Sequence, residues 1–388
     1  MKECLKKIDR REFIRWGSLS ILGSGFALDV LRGRTFKGLF TGRLSSKEVT
    51  LEYRTLGKTG LKVTTVGFGA MRTSDPAVLH RALDLGINYI DTADCYMDGN
   101  NEIMVGQVLK KRRKEAYLAT KVHIAKMENM FKSLHTSLRR LQTDYIDVMQ
   151  LHNLKTADHV NNPVAMEALE KMRKEGKVRF IGFSTHENQA EVIKAAVKTK
   201  FYDTVLVAYN FKSNSGIEDA IRDAAEAGMG VVAMKTQAGG YRSDKMGSLS
   251  PHQAALKWVL QNKNITTTIP SMVTFGQVEE NVRVMRSAMN WHDRKTLNKY
   301  GQLIDKIYCR GCGGCEGTCP RGVAISEVNR TLMYAEGYGD LVLARQQYRT
   351  LPLSRSAIQC LDCPKCEAKC LNDLDIAAKM AKAYNLLA

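Results

Sequence analysis

The chain has 388 residues, with 58 Lys and Arg against 40 Asp and Glu, ten Cys, 30 Gly and seven Pro. At 44% hydrophobic and 25% charged residues its composition is that of an ordinary globular protein, which excludes a disordered chain, a collagen and a disulfide miniprotein. No run of about 18 uninterrupted apolar residues marks a membrane span, and the length fits one large domain plus something smaller.

The net charge of +18 invites a nucleic-acid reading, but its distribution argues against one. Residues 1–47 hold 11 Lys and Arg against four Asp and Glu, so +7 sits there and the other +11 is spread over 341 residues. There is no basic stripe interleaved with aromatics of the kind single-strand binders use, so nucleic acid is not an expected partner. In the same N-terminal region, Asp9-Arg10-Arg11-Glu12-Phe13-Ile14-Arg15 precedes a mildly apolar, Gly/Ser-diluted stretch, Trp16–Leu28. Together they resemble a twin-arginine export signal. The resemblance implies export of the folded, cofactor-loaded protein to the periplasm or cell envelope. A basic leader that leaves the protein in the cytoplasm is the alternative. No Ala-x-Ala site is evident, so cleavage and retention as an anchor both stay open. Residues 1–45 are signal and linker in this reading.

From Lys62 onward, short β-branched runs alternate with amphipathic stretches. The predicted strands are Val63–Gly69, Tyr89–Thr92, Ala116–Lys121, Ile146–Leu151, Arg179–Ser184, Thr204–Tyr209, Gly230–Lys235 and Ile265–Ile269. The predicted helices lie near Ala77–Leu85, Glu102–Lys110, Met130–Leu141, Val164–Glu175, Ala190–Thr199, Ile217–Ala227, Pro251–Gln261 and Gln277–Met285. Apolar residues recur at helical spacing, as in Ile217, Ala220, Ile221 and Ala224. Gly86, Gly176 and Gly228 mark helix ends. Eight strand–helix pairs in about 225 residues predict an α/β fold, a (β/α)8 TIM barrel over residues 50–290. A doubly wound sheet is the alternative, but Gly67-Phe68-Gly69-Ala70-Met71-Arg72 lacks the third Gly of its phosphate loop. Ahead of the first strand, Tyr53–Val63 reads as a hairpin that plugs the barrel from below.

A barrel carries its chemistry at the C-terminal ends of its strands. There the second strand ends in Asp91-Thr-Ala-Asp-Cys-Tyr96, the third in Ala119-Thr-Lys121-Val-His123, and the fourth in Gln150-Leu-His152-Asn153. Asp91, Tyr96, Lys121 and His152 are each poor residues to bury unpaired. Together they make chemical sense: Lys121 lowers the pKa of the Tyr96 phenol, Asp91 orients Lys121, and His152 aims or polarises a substrate carbonyl.

With Gly182-Phe-Ser184 and Glu280-Asn281 added, these residues resemble the aldo/keto reductase superfamily over roughly residues 50–290. The resemblance implies hydride transfer between a nicotinamide cofactor and a small carbonyl or alcohol substrate, with Tyr96 as general acid/base. It places Ser184 at the nicotinamide amide and Glu280 and Asn281 at the adenine end. Leu206 stands where many members carry a Gln, and Met234-Lys235 where they carry a stacking aromatic. Gln277 occupies the position of the Arg that clamps a 2′-phosphate, which weakens strict NADP preference because a phosphate favours a bidentate guanidinium. Lys235 or Arg283 is the replacement cation. NADP(H) is the first expectation and NAD(H) the second. His123, His186 and Asn153 are further candidates to face the pocket, whereas Cys95 and Trp258 read as packing.

Eight of the ten cysteines fall between Cys309 and Cys370. Cys309-x2-Cys312-x2-Cys315-x3-Cys319-Pro320 repeats 51 residues later as Cys360-x2-Cys363-x2-Cys366-x3-Cys370. Such a triplet wraps three thiolates around one iron–sulfur cubane, and the fourth Cys ligates the other. Zinc would need only two Cys-x2-Cys pairs, and disulfides between such close neighbours would be strained. Residues 305–380 thus resemble a bacterial two-cluster ferredoxin, the core of a domain spanning 300–388. Cys309, Cys312, Cys315 and Cys370 are the expected ligands of one 4Fe–4S cluster, and Cys360, Cys363, Cys366 and Cys319 those of the other. Leu371 in place of the usual Pro, and a partly helical insert at Ser326–Leu351, depart from a compact ferredoxin.

Reductase barrels with such a module form a recognisable subgroup, and here the module takes the place of the tail that normally covers the substrate. Hydride transfer moves two electrons and a cluster moves one, and the sequence has no flavin motif. The clusters are therefore structural, gate activity by redox state, or serve a redox partner protein. The leading reading is a carbonyl/alcohol oxidoreductase. The second is an electron-transfer protein that uses an inactive barrel as a docking scaffold, and the complete set Asp91, Tyr96, Lys121 and His152 favours the first.

Overall fold

The computed structural model describes residues 51–214, 216–241 and 250–388; the twin-arginine-type segment lies outside them. A hairpin of β1 (Tyr53–Thr55) and β2 (Lys62–Thr64) precedes a parallel sheet of β3 (Phe68–Gly69), β4 (Tyr89–Asp91), β5 (Tyr117–Val122), β6 (Ile146–Leu151), β7 (Val178–Thr185), β8 (Thr204–Ala208), β9 (Gly230–Met234) and β10 (Thr267–Thr268). The sheet runs in sequence order, and single bridges Val66–Thr268 and Gly69–Ser271 bring its two edges together. This is the (β/α)8 barrel expected from the strand–helix alternation. Its strands are buried on both faces, as all six residues of β6 show, because helices cover the outside and side chains fill the inside.

Around the sheet lie α1 (Pro76–Asp84), α2 (Asn100–Leu109), α3 (Met127–Leu141), α4 (Ala157–Val160), α5 (Pro163–Lys174), α6 (Gln189–Thr199), α7 (Gly216–Glu226), α8 (Pro251–Gln261) and α9 (Phe275–Val284). Helix α5 shows why these segments form. The Asn162 side chain caps its first turn and Pro163 supplies a preset first φ. Ala165, Ala168, Leu169 and Met172 then make one buried stripe facing the sheet.

The first predicted strand is broken in two. Thr64 pairs with Tyr53 in the hairpin, whereas Phe68 pairs with Ile90 in the barrel, so the chain changes partners between them. The hairpin does plug the barrel: Leu56, Leu61 and Val63 share a core with Tyr89, Ala119, Val148 and Val232. Its turn contains Gly57 at φ +51°, where a Cβ would stand 2.3 Å from the Gly230 nitrogen, so no other residue fits.

After the barrel come α10 (Trp291–Ile304), α11 (Ile325–Glu336), α12 (Leu341–Arg349) and α13 (Ile376–Leu387); α11 and α12 are the predicted helical insert. Leu297 and Tyr300 of α10, Val328 and Leu332 of α11 and Met380 of α13 form a second core that includes Ala254 and Ala255 of α8. The end of α11 lies directly on the loop after β9, where a Cβ on Gly337 would be 2.1 Å from the Gly239 carbonyl oxygen. The cysteine-rich region is thereby seated on the C-terminal mouth of the barrel. Among the described residues no helix is long and apolar enough to cross a membrane.

Candidate active site

The ends of the strands open into a cleft of about 380 Å3. Asp91, Tyr96 and His152 line it, with Lys235, Gln277, Glu280 and Asn281 from the β9–α9 side. Arg330, Tyr334, Gly337 and Tyr338 form its roof, so the iron–sulfur region caps the pocket as the sequence suggests.

Lys121 lies beneath this floor, 1% exposed. Its ammonium donates to Asp91 Oδ1 at 2.5 Å and to the Thr92 carbonyl at 2.6 Å. Gln150 donates to the other Asp91 oxygen at 2.8 Å. The pairing follows from register, because Asp91 pairs with Ala119 across one ladder and Lys121 with Gln150 across the next. The Lys121 nitrogen also stands 4.8 Å from the centre of the Tyr96 ring. The Tyr96 and His152 rings meet edge-on with centroids 6.0 Å apart. All four candidates of the set are therefore brought together.

The electrostatics differ from the sequence expectation in one respect. Burial, and then the Asp91 carboxylate, hold the Tyr96 phenol well above its ordinary pKa. Lys121 does not reverse this, because its charge is already matched by Asp91. Burial, followed by the charges of Lys121 and His123, holds His152 well below its usual value, so the imidazole is neutral at physiological pH. The cleft thus offers a protonated phenol beside a neutral imidazole.

The remaining candidates divide. Ser184 does not line the cleft: it is fully buried, accepting from the Asn153 amide at 2.9 Å and donating to the Leu151 carbonyl at 3.4 Å. Its expected contact with a nicotinamide amide is not supported by this geometry. Leu206 is packed in the barrel core. His186 lines the cleft with its Nδ1 2.9 Å from Asn153 Oδ1, whereas His123 is exposed and stacks on the His152 ring at 4.7 Å. Burial, then the Asp94 carboxylate, pushes the Cys95 thiol up to about 12, so it packs against His152 as an inert group. The ammonium of Lys235 points at the Tyr334 hydroxyl. Sequence reasoning missed Arg330 and Tyr334; the only signal was the helical insert that carries them.

The eight clustered cysteines form two groups. Cys309 has Cys312, Cys315 and Cys370 as electrostatic neighbours, and Asn372 contacts both Cys370 Sγ (3.3 Å, through its backbone NH) and Cys312 Sγ (3.8 Å, through its side chain). Cys319, Cys360, Cys363 and Cys366 line a separate cavity of about 320 Å3. The Lys369 amide donates to Thr318 Oγ at 3.0 Å, tying the repeats together. Four soft thiols in each of two groups, with the fourth Cys crossing over, is a donor set suited to iron–sulfur clusters.

Residues 65–299 match the aldo/keto reductase family, and residues 308–375 match a 4Fe-4S dicluster domain. The chain is 29% identical to L-galactose dehydrogenase of Arabidopsis thaliana over 306 residues, 66% of this chain and 95% of that protein. It is 33% identical to the uncharacterized oxidoreductase YqkF of Bacillus subtilis over 174 residues, 40% of this chain and 56% of that one. Among solved structures, the holo form of an aldo-keto reductase from Bacillus halodurans superposes with a TM-score of 0.56 at 28% identity, covering 64% of this chain and 96% of that one. An aldo-keto reductase from Klebsiella pneumoniae in complex with NADPH shares the fold, with a TM-score of 0.55 at 24% identity over 64% of this chain and 95% of that one.

Proposed function

The chain belongs to the aldo/keto reductase family, and from that membership we propose that it transfers hydride between a nicotinamide cofactor and a small carbonyl or alcohol substrate, with Tyr96 as the proton donor. The observation that carries this reading is the convergence of Tyr96 and His152 on one cleft above the buried Lys121–Asp91 pair. Bound nicotinamide supplies or accepts the hydride. Tyr96, held protonated by burial, gives its proton to the carbonyl oxygen and takes it back in the reverse direction. Neutral His152 hydrogen-bonds that oxygen and fixes its direction. Lys121 stands over the ring to stabilise the phenolate that forms, and Asp91 positions Lys121.

NADP(H) is the first choice of cofactor and NAD(H) the second, held by Gln277, Glu280 and Asn281 along the cleft wall. Cys309, Cys312, Cys315 and Cys370 hold one 4Fe–4S cluster; Cys319, Cys360, Cys363 and Cys366 hold a second. Because α11 lies between the two motifs and roofs the cleft, the clusters fix the shape of the active-site lid. A redox partner protein is a second use for them: Leu361 and Leu371 stand exposed at 56% and 76% beside the motifs. Residues 1–45 direct the protein to the periplasm or cell envelope. The test is anaerobic oxidation of reduced nicotinamide by the cluster-loaded protein over a carbonyl panel, with Tyr96→Phe as control; cofactor oxidation that ignores both substrate and Tyr96 removes the reading.

A further inference from the structure

Helix α11 places a phenol and a guanidinium in the roof of the cleft. Tyr334 is 1% exposed, and its hydroxyl oxygen accepts from Arg330 Nη1 at 3.0 Å and from Lys235 Nζ at 3.1 Å. The Lys235 nitrogen also rides 4.5 Å from the centre of the Tyr334 ring. Arg330 Nε is buried and has no hydrogen-bond partner among the described residues. Of the neighbouring acids, Glu327 pairs with Lys155, whereas Glu187 lies 3.9 Å from the same ammonium, is pushed up to about 7 chiefly by burial, and has an Oε1 with no hydrogen-bond partner among the described residues. Three cations therefore share two carboxylates, and the Tyr334 oxygen is the acceptor that Arg330 and Lys235 have in common. Burial alone would raise the pKa of Tyr334, but Arg330 and then Lys235 overcome it and hold it down at about 8.

A single phenol oxygen is a poor permanent partner for a guanidinium, which favours the two parallel oxygens of a carboxylate. Buried positive charge that two carboxylates and a phenol oxygen match only in part is a place where an arriving anion is stabilised. We propose that Arg330, Lys235 and Tyr334 form an anion subsite, and that the substrate is a carbonyl or alcohol compound bearing a carboxylate, read by the iron–sulfur region while Tyr96 handles its carbonyl oxygen. On binding, the carboxylate becomes the partner of Arg330 and Lys235. Tyr334, mostly protonated at neutral pH with its pKa held at about 8, donates a hydrogen bond to the newcomer. The proposal rests on the hydride-transfer reading for the identity of the substrate, but the subsite itself rests on charge and geometry.

An anion at these cations has two sources, a substrate carboxylate or a phosphate of the cofactor. The experiment uses the full-length, cluster-loaded protein under anaerobic conditions and two matched pairs in which a methyl group replaces the carboxylate: pyruvate with acetone, and levulinate with pentanone. In at least one pair the acid is expected to have the higher kcat/KM, and Arg330→Met to shrink that acid-to-ketone ratio by about tenfold to a hundredfold, the worth of a hydrogen bond to a charged group. Arg330→Lys restores part of the ratio, which controls for misfolding. Calorimetric binding of pyruvate and levulinate to protein loaded with oxidised cofactor gives a readout without turnover; there Tyr334→Phe, which removes the hydroxyl that donates to the bound carboxylate, weakens binding several-fold. Equal kcat/KM for acid and ketone in both pairs overturns the proposal. So does an Arg330→Met or Lys235→Met variant that weakens NADP(H) binding while the acid-to-ketone ratio holds, because the anion is then the cofactor's phosphate. If no compound turns over but the acids bind in an Arg330-dependent way, the subsite stands and the hydride-transfer reading falls.

Discussion

Replacing Lys121 by Met removes one half of a buried ion pair and leaves the other half in place. Lys121 and Asp91 are 1% and 2% exposed, and the ammonium supplies the 2.5 Å hydrogen bond to Asp91 Oδ1. Methionine fills most of the lysine's volume, but Asp91 keeps only the 2.8 Å bond from Gln150 among its side-chain donors. Stranding one partner of a buried pair costs about 3–5 kcal/mol. Removing both charges costs far less, so Asp91→Asn combined with Lys121→Met should recover about 2 kcal/mol or more of the single variant's loss. Activity should not recover, because the phenolate of Tyr96 still lacks its cation. The assay is a double-mutant cycle in anaerobic denaturant unfolding followed by near-ultraviolet circular dichroism, with nicotinamide oxidation measured on the same four proteins. A Lys121→Met variant within about 1 kcal/mol of the parent, or a double variant no more stable than the single, would refute the argument that this pair is an isolated, mutually dependent charge pair.

Iron and acid-labile sulfide should each be found at about eight per chain, as two four-iron clusters require; a colourless protein holding zinc instead contradicts the ligand assignment. Fluorescence titration should show NADP(H) bound less than about tenfold more tightly than NAD(H), the outcome expected if Gln277 occupies the place of a clamping guanidinium. A preference above about a thousandfold would mean that another cation holds the 2′-phosphate. Arg10→Lys combined with Arg11→Lys should leave the protein in the cytoplasm, and a parent protein found only in the cytoplasm contradicts the reading of residues 1–45 as an export signal.

The barrel was legible because its signal repeats: β6, buried throughout, and α5, with its cap and one-sided stripe, announce themselves within their own residues. Asp91, Tyr96, Lys121 and His152 were legible because strand ends are where a barrel tolerates such groups. The break between β2 and β3 was not, since Val63 to Gly69 is β-branched and apolar enough to read as one strand while the switch of partner is a tertiary event. The burial of Ser184 was hidden for a similar reason: the loop after β6, through the Asn153 amide, claims its hydroxyl. The roof of the cleft was hidden most completely. Arg330 and Tyr334 lie about 180 residues or more beyond the fourth strand's His152, and only the seating of α11 on the loop after β9 brings them to Lys235.

The central claim is that Tyr96 is the proton donor in a nicotinamide-dependent reduction. The most direct measurement is single-turnover oxidation of bound reduced nicotinamide by a carbonyl substrate in the parent and in Tyr96→Phe, on anaerobically prepared, cluster-loaded protein. The substitution removes a hydroxyl and little else, so fold, clusters and cofactor binding should survive while the rate falls by the ~10²–10⁴ that a general acid typically contributes. Near-parental turnover in Tyr96→Phe, with turnover abolished instead by cysteine substitutions in the 309–370 region, would contradict the claim and make the iron–sulfur clusters the working redox centre.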